Sequence, residues 1–249
     1  MSLFEKVFGT QDPYIKVNVV TFAMSNNTLT ADVKVEKRAI PKYIMTPHTK
    51  RIFEDFSRLA DQQLQNQEGF VLLEGDAGTG KNYLVEMFAH HFNRELFEFH
   101  CSSSVMAHDL KSDKGTSEGK GGATLVIDIP SKIVNGLRTK NAIVLFDEIN
   151  TLKPDVAKVL NRLFDSSRTL QWGTGMVHTT KADPTVLLVA TQNPEGYHGV
   201  KPLADTLVSR SRKIFVDYPD GIETDSRGKV LRVNPDEAMM TLLLTKDFE

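Results

Sequence analysis

The stretch Val71–Phe92, VLLEGDAGTGKNYLVEMFAHHF, constrains the fold of this chain more than any other. Gly75, Gly80 and Lys81 satisfy the pattern G-x-x-x-x-G-K, which by itself arises by chance on the order of once in ten chains of this size. Its surroundings make it specific. The apolar run Phe70–Leu73 ends just before the first glycine, and Leu84, Val85, Phe88 and Phe92 follow at helical spacing. Strand, glycine-rich loop and helix therefore stand in the order a phosphate cradle needs. Glycines at 75, 78 and 80 let the backbone curl so that successive N–H groups and the following helix N-terminus point at phosphate oxygens. The nucleotide contacts expected from this loop are Gly75, Asp76, Ala77, Gly78, Thr79, Gly80, Lys81, Asn82 and Tyr83, with Lys81 supplying positive charge to the β- and γ-phosphates of ATP. Asn82 departs from the usual Ser or Thr at the Mg²⁺ position. Its amide oxygen is a hard neutral donor and is expected to substitute for the hydroxyl.

The 249 residues, 25% charged and with a formal net charge of -2, suit one α/β domain with small additions. A near-neutral balance gives no argument for nucleic acid or an anionic membrane as partner. Cys101 is the single cysteine, so no intrachain disulfide can form and a reducing cytoplasm is expected. The N-terminus MSLFEKVFGTQDPY lacks a signal-peptide apolar core, and no stretch approaches membrane-spanning length, so no membrane association is expected. The seven histidines carry no zinc-ligand spacing.

Residues Tyr14–Arg38 alternate in two runs separated by Ser25, Asn26 and Asn27, which predicts a β-hairpin. Thr46-Pro47 opens a helix with an apolar stripe of Ile52, Phe53, Phe56, Leu59, Ala60 and Leu64. Leu96–Phe99, Ala142–Phe146, Thr185–Thr191 and Lys213–Asp217 read as strands, and Val156, Val159, Leu160, Leu163 and Phe164 as a helical stripe. Lys111–Gly122, KSDKGTSEGKGG, has no apolar residue and reads as a mobile loop. Thr169–Val177 suggests a short hairpin with Trp172 exposed at its tip. Alternating strands and helices imply a parallel sheet with helices on both faces.

The other half of a hydrolytic site is expected at the ends of two buried strands. In AIVLFDEIN, Asp147 is placed to hold Mg²⁺ and Glu148 to polarise the attacking water; in LLVATQNPEGYHG, Asn193 is placed to orient that water. Taken with GDAGTGKN and PLADTLVSRSRKIFVDYP, these segments resemble AAA+ ATPases of the MoxR-like and dynein-related group, over roughly Pro41–Pro219. That group includes Rubisco-activating, nitric-oxide-reductase-activating and gas-vesicle ATPases.

The resemblance implies an α/β P-loop NTPase fold. Its parts are an N-terminal β-hairpin extension at 1–40, an AAA+ core at 41–219 and the start of a helical lid, mostly absent, at 220–249. It implies ATP and Mg²⁺ as ligands, Lys81 as the Walker A lysine, Asp147 and Glu148 as the Walker B pair, and Asn193 as sensor 1. LVSRSR places Arg210 where the family carries an arginine finger for the neighbouring subunit, with Ser211 in place of the usual aromatic residue and Arg212 as a competing choice. Lys111–Gly122 and Thr169–Val177 match the family's pore-facing insertion and hairpin. VNPDEAMMTLLLTKDFE matches the first lid helix. A homo-oligomeric, hexameric ring is implied, acting on a protein client, with a von Willebrand type A domain protein as a possible partner.

Two rival functions stay open at this stage. A nucleic-acid motor would need a basic stripe, which this chain does not show. A nucleotide-gated assembly factor without turnover would follow if Asn82 and the short lid abolish hydrolysis.

Overall fold

The computed structural model of the chain describes residues 20–25, 28–33, 47–118, 124–173, 176–194, 202–217, 222–224 and 230–233. They fall into two units, Arg51–Pro219 and a smaller one drawn from Met1–Lys50 and Asp220–Glu249. In the larger unit, the apolar runs noted above become one parallel sheet of five strands. In chain order these are β3 (Phe70–Glu74), β4 (Glu95–His100), β7 (Ala142–Asp147), β10 (Leu187–Gln192) and β11 (Ser211–Phe215), and they lie side by side as β11-β3-β10-β7-β4. The chain is thus a mixed α/β protein built on a parallel sheet, as its sequence implies.

The three inner strands explain their own placement. FVLL, AIVLF and LLVATQ are buried residue after residue, as strands covered on both faces must be. Val189 of β10 sits in register with Val71 of β3 on one side and Leu145 of β7 on the other. The edge strand β11 alternates instead, burying Ile214 and exposing Lys213 and Phe215. Because β3, β7 and β10 run parallel and adjacent, their C-terminal ends gather at one edge of the sheet, where open α/β sheets place ligands.

Helix α1 (Pro47–Asn66) begins at the expected Pro and buries Phe53, Phe56 and Ala60. Phe56 and Phe88 rings meet edge-on at 4.7 Å, and Phe88 lies on α2 (Lys81–His91), the helix after the glycine loop. Removing any one of these buried rings would cost about 3–5 kcal/mol. Gln63 is fully buried: its Nε2 donates to Gly69 O at 3.0 Å and its Oε1 accepts from Leu188 N at 3.4 Å. Helix α3 (Lys132–Arg138) starts at Ser131, whose Oγ accepts from Val134 N and so satisfies one of the helix's unpaired donors.

Two expectations are corrected. The loop read over Lys111–Gly122 contains a strand, β5 (Ser112–Glu118), paired antiparallel with β6 (Thr124–Pro130) from Ser112 opposite Pro130 to Glu118 opposite Thr124. Composition misled here because the apolar, β-branched half of the hairpin is β6, TLVIDIP, and β5 needs only its backbone to pair with it. Trp172 is not an exposed tip residue. It ends β8 (Thr169–Trp172), opposite His178 of β9 (His178–Lys181), and is buried. Alternation along β8 turns Leu170 and Trp172 inward; the indole Nε1 donates to Thr180 Oγ1 at 3.0 Å, and Arg138 lies 4.9 Å over the ring. The exposed apolar residues of this hairpin are Met176 and Val177.

The helical stripe 154–164 forms as three short pieces: α4 (Pro154–Ala157), a 3₁₀ turn (Lys158–Leu160) and α5 (Asn161–Phe164). A short helix, α6 (Asp205–Val208), precedes β11. In the smaller unit, β1 (Val20–Ser25) and β2 (Thr28–Val33) form the expected antiparallel pair. A second pair, β12 (Ile222–Thr224) with β13 (Val230–Val233), has no counterpart in the sequence reading. Residues 234–249, most of the segment read as a lid helix, lie outside the described residues.

Candidate nucleotide site

The glycine loop is fixed by close backbone approaches. Gly75 N donates to Gln192 O at 3.3 Å, and a Cβ at Gly75 would lie 2.0 Å from Val216 O, so only glycine fits there. Gly78 and Gly80 both hold φ of 83°, a conformation that glycine adopts without strain. Gly80 is also the N-cap of α2 and brings no side chain to cap it. The helix's first N–H groups are therefore presented at the loop. Thr79 Oγ1 donates to Asp76 O at 2.9 Å, which tightens the turn.

Lys81 is buried, yet among the described residues no carboxylate forms an ion pair with it. Its ammonium donates to Gly75 O at 2.7 Å, Asp76 O at 2.8 Å and Asn193 Oδ1 at 3.0 Å. Burial holds its pKa below the usual lysine value, partly opposed by the charges of Asp147, Glu148 and Asp76. A desolvated cation that donates to three neutral oxygens, beside a capless helix N-terminus, is a suitable receptor for phosphate.

At the end of β7 the two acidic residues, Asp147 and Glu148, are both held by one hydroxyl. Thr191 Oγ1, on β10, donates to Asp147 Oδ1 at 2.6 Å and accepts from Glu148 N at 3.0 Å. Glu148 takes a left-handed backbone at φ 56°, which turns the chain out of the strand into the 3₁₀ turn Ile149–Thr151. Asn193 Nδ2 donates to Glu148 Oε1 at 3.1 Å, and Asn150 Nδ2 donates to Asn193 O at 2.9 Å. Lys81, Asn193 and Glu148 are thus linked in a single hydrogen-bonded chain.

The profile of the AAA domain, dynein-related subfamily, matches residues 70–211, more than half of the chain. The chain belongs to this family. It is similar to an uncharacterized protein of Staphylococcus epidermidis, 32% identical over 68% of this chain and 62% of that one. An uncharacterized protein of Staphylococcus saprophyticus is 31% identical over 64% of this chain and 60% of its own. The chain therefore spans about six-tenths of the length of these curated relatives. A crystal structure from Cytophaga hutchinsonii, of a provisionally assigned ATPase, aligns with a TM-score of 0.45 and 20% identity over 70% of this chain and 54% of that one. Membership in the AAA family supports ATP binding.

Within this AAA domain, the residues 75–83, Asp147, Glu148 and Asn193 come together at one edge of the sheet. Asn82, second residue of α2, directs its amide nitrogen to Glu98 Oε1 at 3.4 Å. Arg210 and Arg212 are not brought to this edge. Arg210 donates to Thr206 O on its own helix end, and Arg212 donates to Glu68 O at 2.8 Å. Ser211 is in register with Phe70, five residues before Gly75, which puts these arginines roughly 17 Å along the strands from the loop.

Sequence reasoning missed Thr191, Asn150, Glu98 and His100. Thr191 carries a signal in hindsight, a hydroxyl at the polar end of an otherwise apolar buried strand. The other three become visible only once strands β4, β7 and β10 are placed side by side. Among the described residues, no helix is long and apolar enough to cross a membrane.

Proposed function

We propose that this chain binds ATP with Mg²⁺ and hydrolyses it to ADP and phosphate, as one subunit of a ring that remodels or activates a partner protein in the cytoplasm. The observation that supports hydrolysis is the Lys81–Asn193–Glu148 chain of hydrogen bonds, at 3.0 and 3.1 Å. It joins the residue that meets the terminal phosphates to the residue that activates water.

The terminal phosphates of ATP offer Lys81 anionic acceptors stronger than the two loop carbonyls and the Asn193 amide it now holds. As Lys81 turns to them, Asn193 keeps its bond to Glu148 and its Oδ1 becomes available to a water on the γ-phosphate side. Glu148 Oε1 or Oε2 then takes the proton of that water as it attacks. Asp147 and Asn82 would hold Mg²⁺, which when bound neutralises charge on the β- and γ-phosphate oxygens. The buried, partnerless oxygens Asn150 Oδ1 and Gln192 Oε1 lie on residues beside this site and suit a polar ligand or ordered water.

Ring assembly, a protein client and a von Willebrand type A domain partner rest on the resemblance of the four motifs. Two variants test the central reading. Lys81→Ala should lose ATP binding measured by equilibrium dialysis, whereas Glu148→Gln should retain ATP and lose phosphate release. Wild-type affinity in Lys81→Ala would remove the loop as the phosphate receptor.

A further inference from the structure

Strand β4 carries two donor side chains beside the Walker B strand. Glu98 and His100 are two residues apart, hence on one face of β4, and His100 is in register with Asp147 of β7. His100 Nδ1 lies 3.1 Å from Asp147 Oδ2, and His100 Nε2 lies 4.0 Å from Glu98 Oε2. One donor atom from each of the three lies within 4.8 Å of the other two. Among the described residues, no Lys or Arg forms an ion pair with Glu98 or Asp147; the imidazole of His100 is the group that stands between their carboxylates.

We infer that Glu98, His100 and Asp147 form a binding site for a first-row divalent transition ion, next to the phosphate loop. Two carboxylates with one imidazole are a donor set suited to ions that accept nitrogen, whereas Mg²⁺ takes oxygen ligands almost exclusively. Donors about 2.1 Å from one ion are at most roughly 4.2 Å apart, and only an opposite pair is that far, so the three side chains must draw together to take an ion. The His100 side chain is 74% exposed and can turn to do so. Thr191 fixes Asp147 by its Oδ1, leaving Oδ2 on the His100 side. Asn82 fixes Glu98 by its Oε1, leaving Oε2 nearest His100. The residue that breaks the phosphate-loop consensus thus positions a metal ligand. The inference rests on the proposed nucleotide site for what the ion does, and stands apart from it for whether the ion binds.

The test is titration of the full chain with Co²⁺ alone, without nucleotide, following the visible d–d absorption and the bound stoichiometry. The wild type is expected to bind one ion with a spectrum showing nitrogen ligation. His100→Ala and Glu98→Gln should each weaken Co²⁺ binding at least about tenfold, with folding checked by circular dichroism. Excess Mg²⁺ should displace Co²⁺ poorly. Lys81→Ala should lose ATP yet bind Co²⁺ at least as tightly as the wild type, because the ammonium whose charge acts on Asp147 is gone, which separates this inference from the nucleotide reading. Unchanged Co²⁺ affinity in His100→Ala would overturn the site. Tighter affinity in that variant would also overturn it, because His100 would then be a competitor for the carboxylates.

Discussion

Thr191→Val removes one hydroxyl, in a fully buried position, and keeps the side-chain shape. Two hydrogen bonds disappear, the 2.6 Å donation to Asp147 Oδ1 and the 3.0 Å acceptance from Glu148 N. A bond to an ionised carboxylate is worth about 1.5–3 kcal/mol and one to a neutral amide about 1 kcal/mol. Asp147 keeps some access to solvent, with 17% of its side chain exposed, so the lower part of that range applies and the expected loss of stability is about 2–3 kcal/mol. At a urea slope of about 2 kcal/mol per molar, the unfolding midpoint should fall by roughly 1–1.5 M. The same loss frees Asp147 to rotate and lets Glu148 leave its left-handed turn. Turnover should fall about 10–100-fold, with ATP affinity little changed because Lys81 and the loop are untouched. Thr191→Ser should recover most of both effects. A Thr191→Val protein with wild-type turnover and a midpoint shift too small to measure would refute the claim that this hydroxyl positions the two acidic residues.

Gly75→Ala should abolish nucleotide binding and destabilise the fold, since its Cβ would lie 2.0 Å from Val216 O and neither backbone can move without breaking the Val216 N to Glu74 O bond of 2.7 Å; thermal unfolding and dialysis check both. Cys101 should be inert to Ellman's reagent in the native protein and titrate fully in guanidinium, because burial, and then the charges of Asp147 and Glu148, push its thiol pKa well above the usual cysteine value. Arg210→Ala should bind ATP normally and lose turnover by about 10³ or more, and mixing it with Glu148→Gln should restore part of the activity. Failure of mixing to restore any turnover in confirmed oligomers would count against a finger acting between subunits.

The sheet was legible because its inner strands are unbroken apolar runs of strand length, each ending in a polar residue that a buried run would not otherwise carry. Gly75, Asp147, Glu148 and Asn193 are marked by the same feature, each following the end of such a run, and Lys81 is marked by its spacing from the loop glycines. The hairpin of β5 and β6 was not legible. A strand whose stability comes from backbone pairing with its neighbour leaves no periodic trace in its own side chains. Trp172 was misplaced because a lone aromatic near glycines reads as a tip, and only the pairing with β9 shows which face it occupies. Gln63 stands in a glutamine-rich run whose composition gives no sign of burial, yet it satisfies Gly69 O and Leu188 N near the starts of two strands. Glu98 and His100 lie about fifty residues from Asp147, and spacing along the chain cannot report proximity across a parallel sheet.

The sheet also divides the chemistry. Everything that touches phosphate or water in the proposed reaction hangs from the C-terminal ends of β3, β7 and β10. Both candidate finger arginines flank the N-terminal end of β3, where Ser211 pairs with Phe70. A parallel sheet cannot fold back to join its two ends, and an arginine side chain spans less than half of the roughly 17 Å between them. Arg210 is held there by the carbonyl of Thr206 on its own helix, and Arg212 by the carbonyl of Glu68. Neither is paired to a carboxylate by these bonds, and an arginine satisfied by neutral oxygens gains more from a phosphate than it gives up. In the proposed ring, a second copy presenting its N-terminal sheet edge to the first copy's loop would supply that exchange. Binding would then be complete within one chain and turnover only between two, which is why loss of Lys81 and loss of Arg210 are expected to separate so cleanly in assay.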